Sequence, residues 1–278
     1  MIGSNAMNDG TGTSQNSSMD TSSDPRFTTY YEEASLSDAT RERFALVKLK
    51  IDGMLVAAGR DRNPVDVVDI GCGAGTQSLM WAESGHRVSS IDINASLVEI
   101  AKNRFAEKRL LARFDIGTAT SLPYRDASFD VVLIPELLEH VEDWQAVLDE
   151  AVRVLRPQGI IYLSTTNYLC PKQQEFDLPF YSWYPAAMKR YCVKLSLTTH
   201  PEWVSHARYP AVHWFSPYQL GAYLEARGVR SFDRFDMLNL EGRPEWIKAA
   251  VGAVKAIAPL RWLGHVASPG TVLFGVRG

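Results

Sequence analysis

The chain has 278 residues, 46% of them hydrophobic and 22% charged, with a formal net charge of −3. That length and balance fit one large α/β domain carrying an insertion. They exclude a global basic field for nucleic acid, and the absence of any run of about 18 apolar residues excludes a spanning helix.

The N-terminus lacks the apolar core of a secretory signal. Met1 to Ala6, followed by Met7, read as a tag remnant ahead of the natural start. Residues 1–25 are Ser, Thr, Asn, Asp and Gly in the main, cannot bury enough apolar surface to offset their ordering entropy, and are expected to be a disordered tag and tail. Order is expected from about Phe27. A helix is predicted over 36–58, because Phe44, Val47, Ile51 and Leu55 recur at helical spacing and Gly59 can stop it. Short apolar runs then alternate with helical stretches. Strands are predicted over 65–70, 87–93, 112–116, 129–134 and 159–165, and helices over 76–84, 96–108 and 143–155. Such alternation implies a parallel sheet wound on both faces. Residues 167–215 break the rhythm with five prolines from Pro171 to Pro210 and many aromatic rings, too long a stretch for an ordinary loop. A helix over 217–227, a strand near 231–240, a helix over 244–257 and a last strand over 271–276 complete the pattern. The expected organisation is a core over 26–166, an inserted cap over 167–215 and a C-terminal completion of the sheet over 216–278.

The segment Val67-Val68-Asp69-Ile70-Gly71-Cys72-Gly73-Ala74-Gly75 reads as a buried strand entering a glycine turn and then a helix. Glycines there let the backbone turn sharply and approach a ligand with no Cβ in the way. Asp69 would repel a pyrophosphate and suits a ligand bearing an ammonium group. Asp92 closes the next predicted strand, placed to accept hydrogen bonds from both hydroxyls of a ribose. Asp115 ends the third, placed for an adenine amino group. Each aspartate has an alternative reading as a strand-end turn residue or helix cap.

The run Asp69 to Gly75, then Asp92, Asp115, Phe129-Asp130-Val131-Val132 and Leu155-Arg156-Pro157-Gln158-Gly159, resembles the successive motifs of class I S-adenosylmethionine-dependent methyltransferases. Pro135-Glu136-Leu137-Leu138-Glu139-His140-Val141 resembles the branch of the ubiquinone-biosynthesis O-methyltransferases and related small-molecule enzymes. The resemblance covers about Tyr30 to Thr166. It implies a Rossmann-like, doubly wound, seven-stranded α/β sheet, mostly parallel with its last strand antiparallel, plus the inserted cap. It implies S-adenosylmethionine as cofactor and S-adenosylhomocysteine as product, held at Asp69, Gly71, Cys72, Gly73, Gly75, Asp92, Ile93, Asp115, Ile116, Gly117 and Pro135. Tyr30 and Tyr31 correspond to a segment that folds over the cofactor in relatives. Gln158 departs from the glycine common at its place, which implies a local turn difference.

Methyl transfer from a sulfonium needs alignment and exclusion of water, and an O or N acceptor can also need a base. His140, just after the fourth predicted strand, reads as that base or as a structural residue orienting its loop. Glu136 and Glu139 read as holding a water or polar acceptor, or as a solvated first helical turn. Arg41 or Arg43 could meet the cofactor's carboxylate or simply face solvent. The aromatic 167–215 segment points to a small apolar or aromatic acceptor, with part of its rings forming a small core of their own. Cys72, Cys170 and Cys192 are an odd set without metal-ligand spacing, as are His200, His206 and His213, so no metal is expected and a reduced, cytoplasmic setting fits. The stretch from Trp246 to Trp262 reads as a packed surface helix or dimer contact in preference to a membrane-resting one. A C-methyltransferase, a lipid- or glycan-modifying enzyme, and a non-catalytic cofactor-binding subunit stand as alternatives.

Overall fold

In the computed structural model the described residues are 36–60, 64–172, 176–196, 198–203, 211 and 213–278. Tyr30, Tyr31 and the expected tail lie outside them. Helix α1 (Asp38–Ala57) begins at Ser37, whose side chain caps Thr40 N–H. Strand β1 (Asp66–Ile70) leads into α2 (Thr76–Glu83), β2 (Arg87–Asp92) into α3 (Ala95–Glu107), and β3 (Arg113–Ile116) into β4 (Phe129–Pro135). Then come α4 (Trp144–Val154), β5 (Leu155–Thr166), α5 (Ala186–Ser196), α6 (Pro217–Glu225), β6 (Val229–Asp233), α7 (Glu245–Ala256), α8 (Ala258–Val266) and β7 (Gly270–Arg277).

The seven strands form one sheet in the order β3-β2-β1-β4-β5-β7-β6. Its parallel pairs run β3 to β5, and β7 lies antiparallel to both β5 and β6. The resemblance implied this doubly wound sheet with an antiparallel last strand. Strands β1, β4 and β5 are apolar on both sides because helices cover both faces. On one face Val68, Ile134, Leu148, Ile161 and Leu220 pack together; on the other Val47, Ile51, Trp81, Tyr162 and Phe274 do. All the parallel strands point their C-terminal ends to one edge, where ligands bind in open α/β sheets.

Three expectations are corrected. The strand near 231–240 is Val229–Asp233, and it stops because Asp233 Oδ1 accepts the Phe235 and Asp236 N–H groups, turning the backbone out of the sheet. Helix α8 was not predicted; Pro259 reads as a terminator yet sits in the first turn, where its missing N–H costs nothing. The stretch from Trp246 divides into α7 and α8; α7 is half-buried along one side, with Lys255 Nζ reaching Asp236 O, while Trp246 is 72% exposed. β5 also starts earlier than expected, with Gln158 at φ +60° and a register irregularity between Phe129 and Val131. Glycine would adopt that φ without strain, so the turn difference expected at Gln158 is a local one.

Within 167–215, Phe176, Tyr181 and Cys192 form a separate small core, with Phe176 and Tyr181 stacked at 4.1 Å. Phe180, Trp183 and Tyr191 stay exposed. This region is tied to the sheet by backbone bonds from Tyr168 to Phe215 and from His213 to Glu139. At the far edge, buried Asp233 accepts from His265 Nε2 and Arg261 Nε, both at 2.8 Å. Burial alone would raise its pKa, but these hydrogen bonds overcome it and hold the carboxyl well below its ordinary range.

The Asp233 contribution is therefore complete above the unfolded carboxylate value of about 4 and is lost as pH falls below it. Asp233→Asn should destabilise the protein by roughly 3 kcal/mol at pH 7, because it leaves two donors facing a neutral amide. Denaturant titrations at pH 7 and pH 3 check this: the gap between the two proteins should narrow at the lower pH, and an equal gap would contradict it.

Candidate functional site

The turn between β1 and α2 is shaped by three glycines with positive φ: Gly71 at +74°, Gly73 at +51° and Gly75 at +74°. Gly71 and Cys72 N–H groups both donate to Ile91 O, at 2.8 and 3.1 Å. A Cβ on Gly71 would lie 2.9 Å from Leu137 Cδ1, and one on Gly75 would lie 2.8 Å from Ala101 Cβ. Glycine is thus required twice over at each place, by conformation and by packing. Asp92 Oδ2 accepts the Gly73 N–H at 2.8 Å, while its Oδ1 accepts Asn94 N–H at 2.8 Å. Both oxygens keep a lone pair for further donors. Burial raises the Asp92 pKa, against the hydrogen bonds from Asn94 and Gly73.

Asp69 is fully buried beneath this turn. Its Oδ2 accepts from Ser78 Oγ at 2.5 Å, and Ser90 Oγ donates to Ser78 at 2.9 Å. Its Oδ1 has no partner. Burial pushes its pKa up to about 6, opposed by the Ser78 hydrogen bond and aided by the charge of Asp92. An orphaned buried carboxylate oxygen is costly, and a cationic donor would satisfy it. Cys72 is buried as well, and burial together with Asp69 and Asp92 holds its thiol in the neutral form. Gln77, in the first turn of α2, is buried with both amide atoms unpartnered, a feature the sequence reading passed over.

The β2–β3 register sets Ile91 beside Asp115 and Asp92 beside Ile116. Gly117 N–H donates to Asp92 O at 3.0 Å. Ile93 is 76% exposed and Ile116 is 58% exposed, so two large apolar side chains flank the Asp92 carboxylate in the open. Such paired exposure suits a flat apolar ring bearing polar edges. Asp115 is already engaged: Arg113 Nε lies 2.8 Å from Oδ2, and Tyr124 OH donates to the same oxygen at 2.8 Å. The sequence signal for the first contact was the Arg113–Asp115 spacing, which puts both side chains on one side of the strand.

Pro135 ends β4 opposite Ser164 of β5. The loop after it separates Glu136, Glu139 and His140. Glu136 adopts φ +50°, faces solvent and ion-pairs with Arg43, which reaches over from α1. Glu139 is buried, with Oε2 accepting from Thr165 Oγ1 at 2.8 Å. The His140 imidazole is open to solvent, yet the surrounding chain strips enough hydration to lower its pKa, with Glu136 acting the other way. Accessibility combined with desolvation is the environment of a group lining a crevice. The structure thus gathers Asp69, Gly71, Cys72, Gly73, Gly75, Asp92, Ile93, Asp115, Ile116, Gly117 and Pro135 along one sheet edge, with His140 and Glu136 on the next loop and Glu139 turned inward. Among the described residues no cluster of three or more His, Cys, Asp or Glu could hold a metal.

The sheet order, the single antiparallel strand and the glycine turn ending β1 define a Rossmann-like architecture of the methyltransferase type. Residues 68–163 match the family model described as methyltransferase domain. It is 33% identical over 101 residues to the ubiquinone biosynthesis O-methyltransferase of Coxiella burnetii, an overlap of 36% of this chain and 43% of that protein. The chain spans about half the length of the curated relatives it matches. In fold it is similar to a putative sarcosine dimethylglycine methyltransferase from Galdieria sulphuraria, with a TM-score of 0.55, 16% identity, and 91% and 97% of the two chains covered. It is also similar to magnesium protoporphyrin IX methyltransferase from Synechocystis PCC 6803, solved with bound SAH, with a TM-score of 0.51, 16% identity, and 91% and 93% covered.

The raised Asp69 pKa works against the ligand-free fold. The unfolded chain releases this proton near pH 4 and the folded chain only near 6, so stability falls as pH rises between those values. Asp69→Asn should therefore melt higher than the parent at pH 7.5 by an amount equivalent to about 3 kcal/mol, and the difference should shrink by pH 4. Paired thermal melts test it; an Asp69→Asn protein less stable than the parent at pH 7.5 would contradict it.

Proposed function

We propose that the protein is an S-adenosylmethionine-dependent methyltransferase moving a methyl group to an O or N atom of a small, apolar or aromatic acceptor. The observation that carries this is the unpartnered Asp69 oxygen under a glycine turn that Asp92 already clips. A buried carboxylate at that place repels a pyrophosphate and leaves an acceptor for an ammonium group. The relatives named ubiquinone biosynthesis O-methyltransferase support an oxygen acceptor.

The residues fit the cofactor. Gly71 and Gly73 would bring bare backbone to it, Asp92 would offer lone pairs to ribose hydroxyls, and the exposed Ile93 and Ile116 would offer apolar surface to the adenine. Asp115, steadied by Arg113 and Tyr124, would take the adenine amino group. When bound, the cofactor supplies an electrophilic methyl on sulfur, so the chain has to align the acceptor and keep water out. His140 holds the role of general base: its depressed pKa keeps the imidazole neutral, hence able to take a proton, near pH 7. Glu136 is positioned by Arg43 at the rim, and Glu139 buttresses the loop through Thr165. The exposed rings Phe180, Trp183 and Tyr191 fit an apolar face of the acceptor. No described helix is long and apolar enough to cross a membrane, and a cytoplasmic setting with a diffusible substrate fits this reading.

Calorimetry with S-adenosylhomocysteine should give micromolar binding to the parent and at least tenfold weaker binding to Asp92→Ala; undiminished binding to the variant would remove the ribose assignment. On an identified acceptor, His140→Ala should lower kcat by about a hundredfold. In the parent, kcat should rise with pH through a value below the ordinary imidazole pKa of about 6.5. Full activity of His140→Ala would leave the base role without support.

A further inference from the structure

Beyond the crevice, α1 and the β6–β7 end of the sheet bring together two cations, Lys50 and Arg234, that have no carboxylate partner among the described residues. Arg43, Val47, Lys50 and Ile51 share one face of α1, with Val47 and Ile51 in the core that includes Tyr162 and Phe274. Lys50 Nζ lies 5.8 Å from the centroid of the Phe274 ring, which packs 5.1 Å from that of Tyr162. Arg234 follows β6 and donates through Nη2 to Gly270 O at the start of β7. Its Nε–H is buried and has no acceptor.

The surrounding charges do not resolve this. Asp233 already accepts from His265, Arg261 and two backbone N–H groups. Asp236 is paired with Arg261, Asp52 with Lys48, and Glu136 with Arg43. Burial lowers the Lys50 pKa and the charge of Arg234 lowers it further, so the two cations feel each other. Arg234 is itself lowered by burial, against the charge of Asp233. Both Arg43 and Arg234 act on the Tyr162 phenol, whose pKa burial raises. Two half-buried like charges and an orphaned guanidinium N–H together lack one thing, an anion with several acceptor lone pairs.

We infer that Lys50 and Arg234 form a subsite for an oxyanion, a carboxylate or phosphate carried by the methyl acceptor. It lies at the same C-terminal ledge of β5 as Ser164, which pairs with Pro135 at the cofactor crevice. This deepens the methyltransferase reading and rests on it for the word acceptor. The acceptor class is then an apolar or aromatic acid: its anionic end anchored by Arg234 and Lys50, its apolar body against the rings of the 167–215 segment, and its nucleophilic atom directed to the loop of His140.

The test titrates benzoate, and separately inorganic phosphate, into the full chain saturated with S-adenosylhomocysteine, following binding by calorimetry. At least one probe should bind the parent, and Lys50→Gln and Arg234→Gln should each weaken it at least tenfold, with Arg234→Lys losing less. Which probe binds distinguishes a carboxylate from a phosphate. Binding of neither, or equal binding to parent and both glutamine variants, overturns the subsite. Should Arg234→Gln lose its cooperative melt, Lys50→Gln decides, because its half-exposed side chain leaves the fold intact. S-adenosylhomocysteine binding is measured first on each sample. If it fails while the probe still binds and responds to the substitutions, the methyl-transfer reading falls and the anion subsite stands.

Discussion

The hydrogen bond from Gly73 N–H to Asp92 Oδ2 fixes the relation between the first two strands at the edge where ligands bind. With the paired bonds from Gly71 and Cys72 to Ile91 O, it locks a turn whose three glycines all sit at positive φ. Because Leu137 and Ala101 fill the space where side chains would be, the turn cannot relax outward. Everything else in the crevice is placed relative to this frame. Asp69 lies beneath it, Asp92 beside it, and the loop after β4 meets it through Leu137.

The frame concentrates negative charge in a poorly hydrated place. Asp69 is buried and Asp92 is poorly hydrated, and the charge of Asp92 adds to the cost of ionising Asp69. Strain of this kind is tolerated in a native protein where function needs it. Its mirror image stands at the far end of the acceptor side, where Lys50 and Arg234 lack a counter-charge. A ligand with a cationic centre at one end of the crevice and an acidic acceptor at the other would relieve both, which gives the edge of the sheet a direction.

Much of this was legible in the sequence. The strand-turn-helix alternation showed itself because β1, β4 and β5 are covered on both faces and therefore read as apolar runs. The glycine spacing and the aspartates at strand ends could be placed because one parallel sheet puts every strand end on the same edge. What was not legible depended on contacts between distant segments. Glu136 and Glu139 look alike in sequence, yet Arg43 holds one outside and Thr165 holds the other inside. Asp233 ends β6 through its own side chain, which periodicity cannot reveal. Lys50 and Arg234 are far apart along the chain and meet only because β7 inserts between β5 and β6. The exposure of Ile93 and Ile116 likewise follows from their places at the ends of β2 and β3 and not from local composition.

The central claim is that this turn is shaped for an adenosyl sulfonium and not for a dinucleotide. A crystal soaked with S-adenosylhomocysteine and NAD together tests it most directly. The account predicts density for S-adenosylhomocysteine alone, its amino group facing Asp69 and its ribose on Asp92. Density for NAD in that crevice, or a crevice left vacant at saturating concentrations of both, would contradict it.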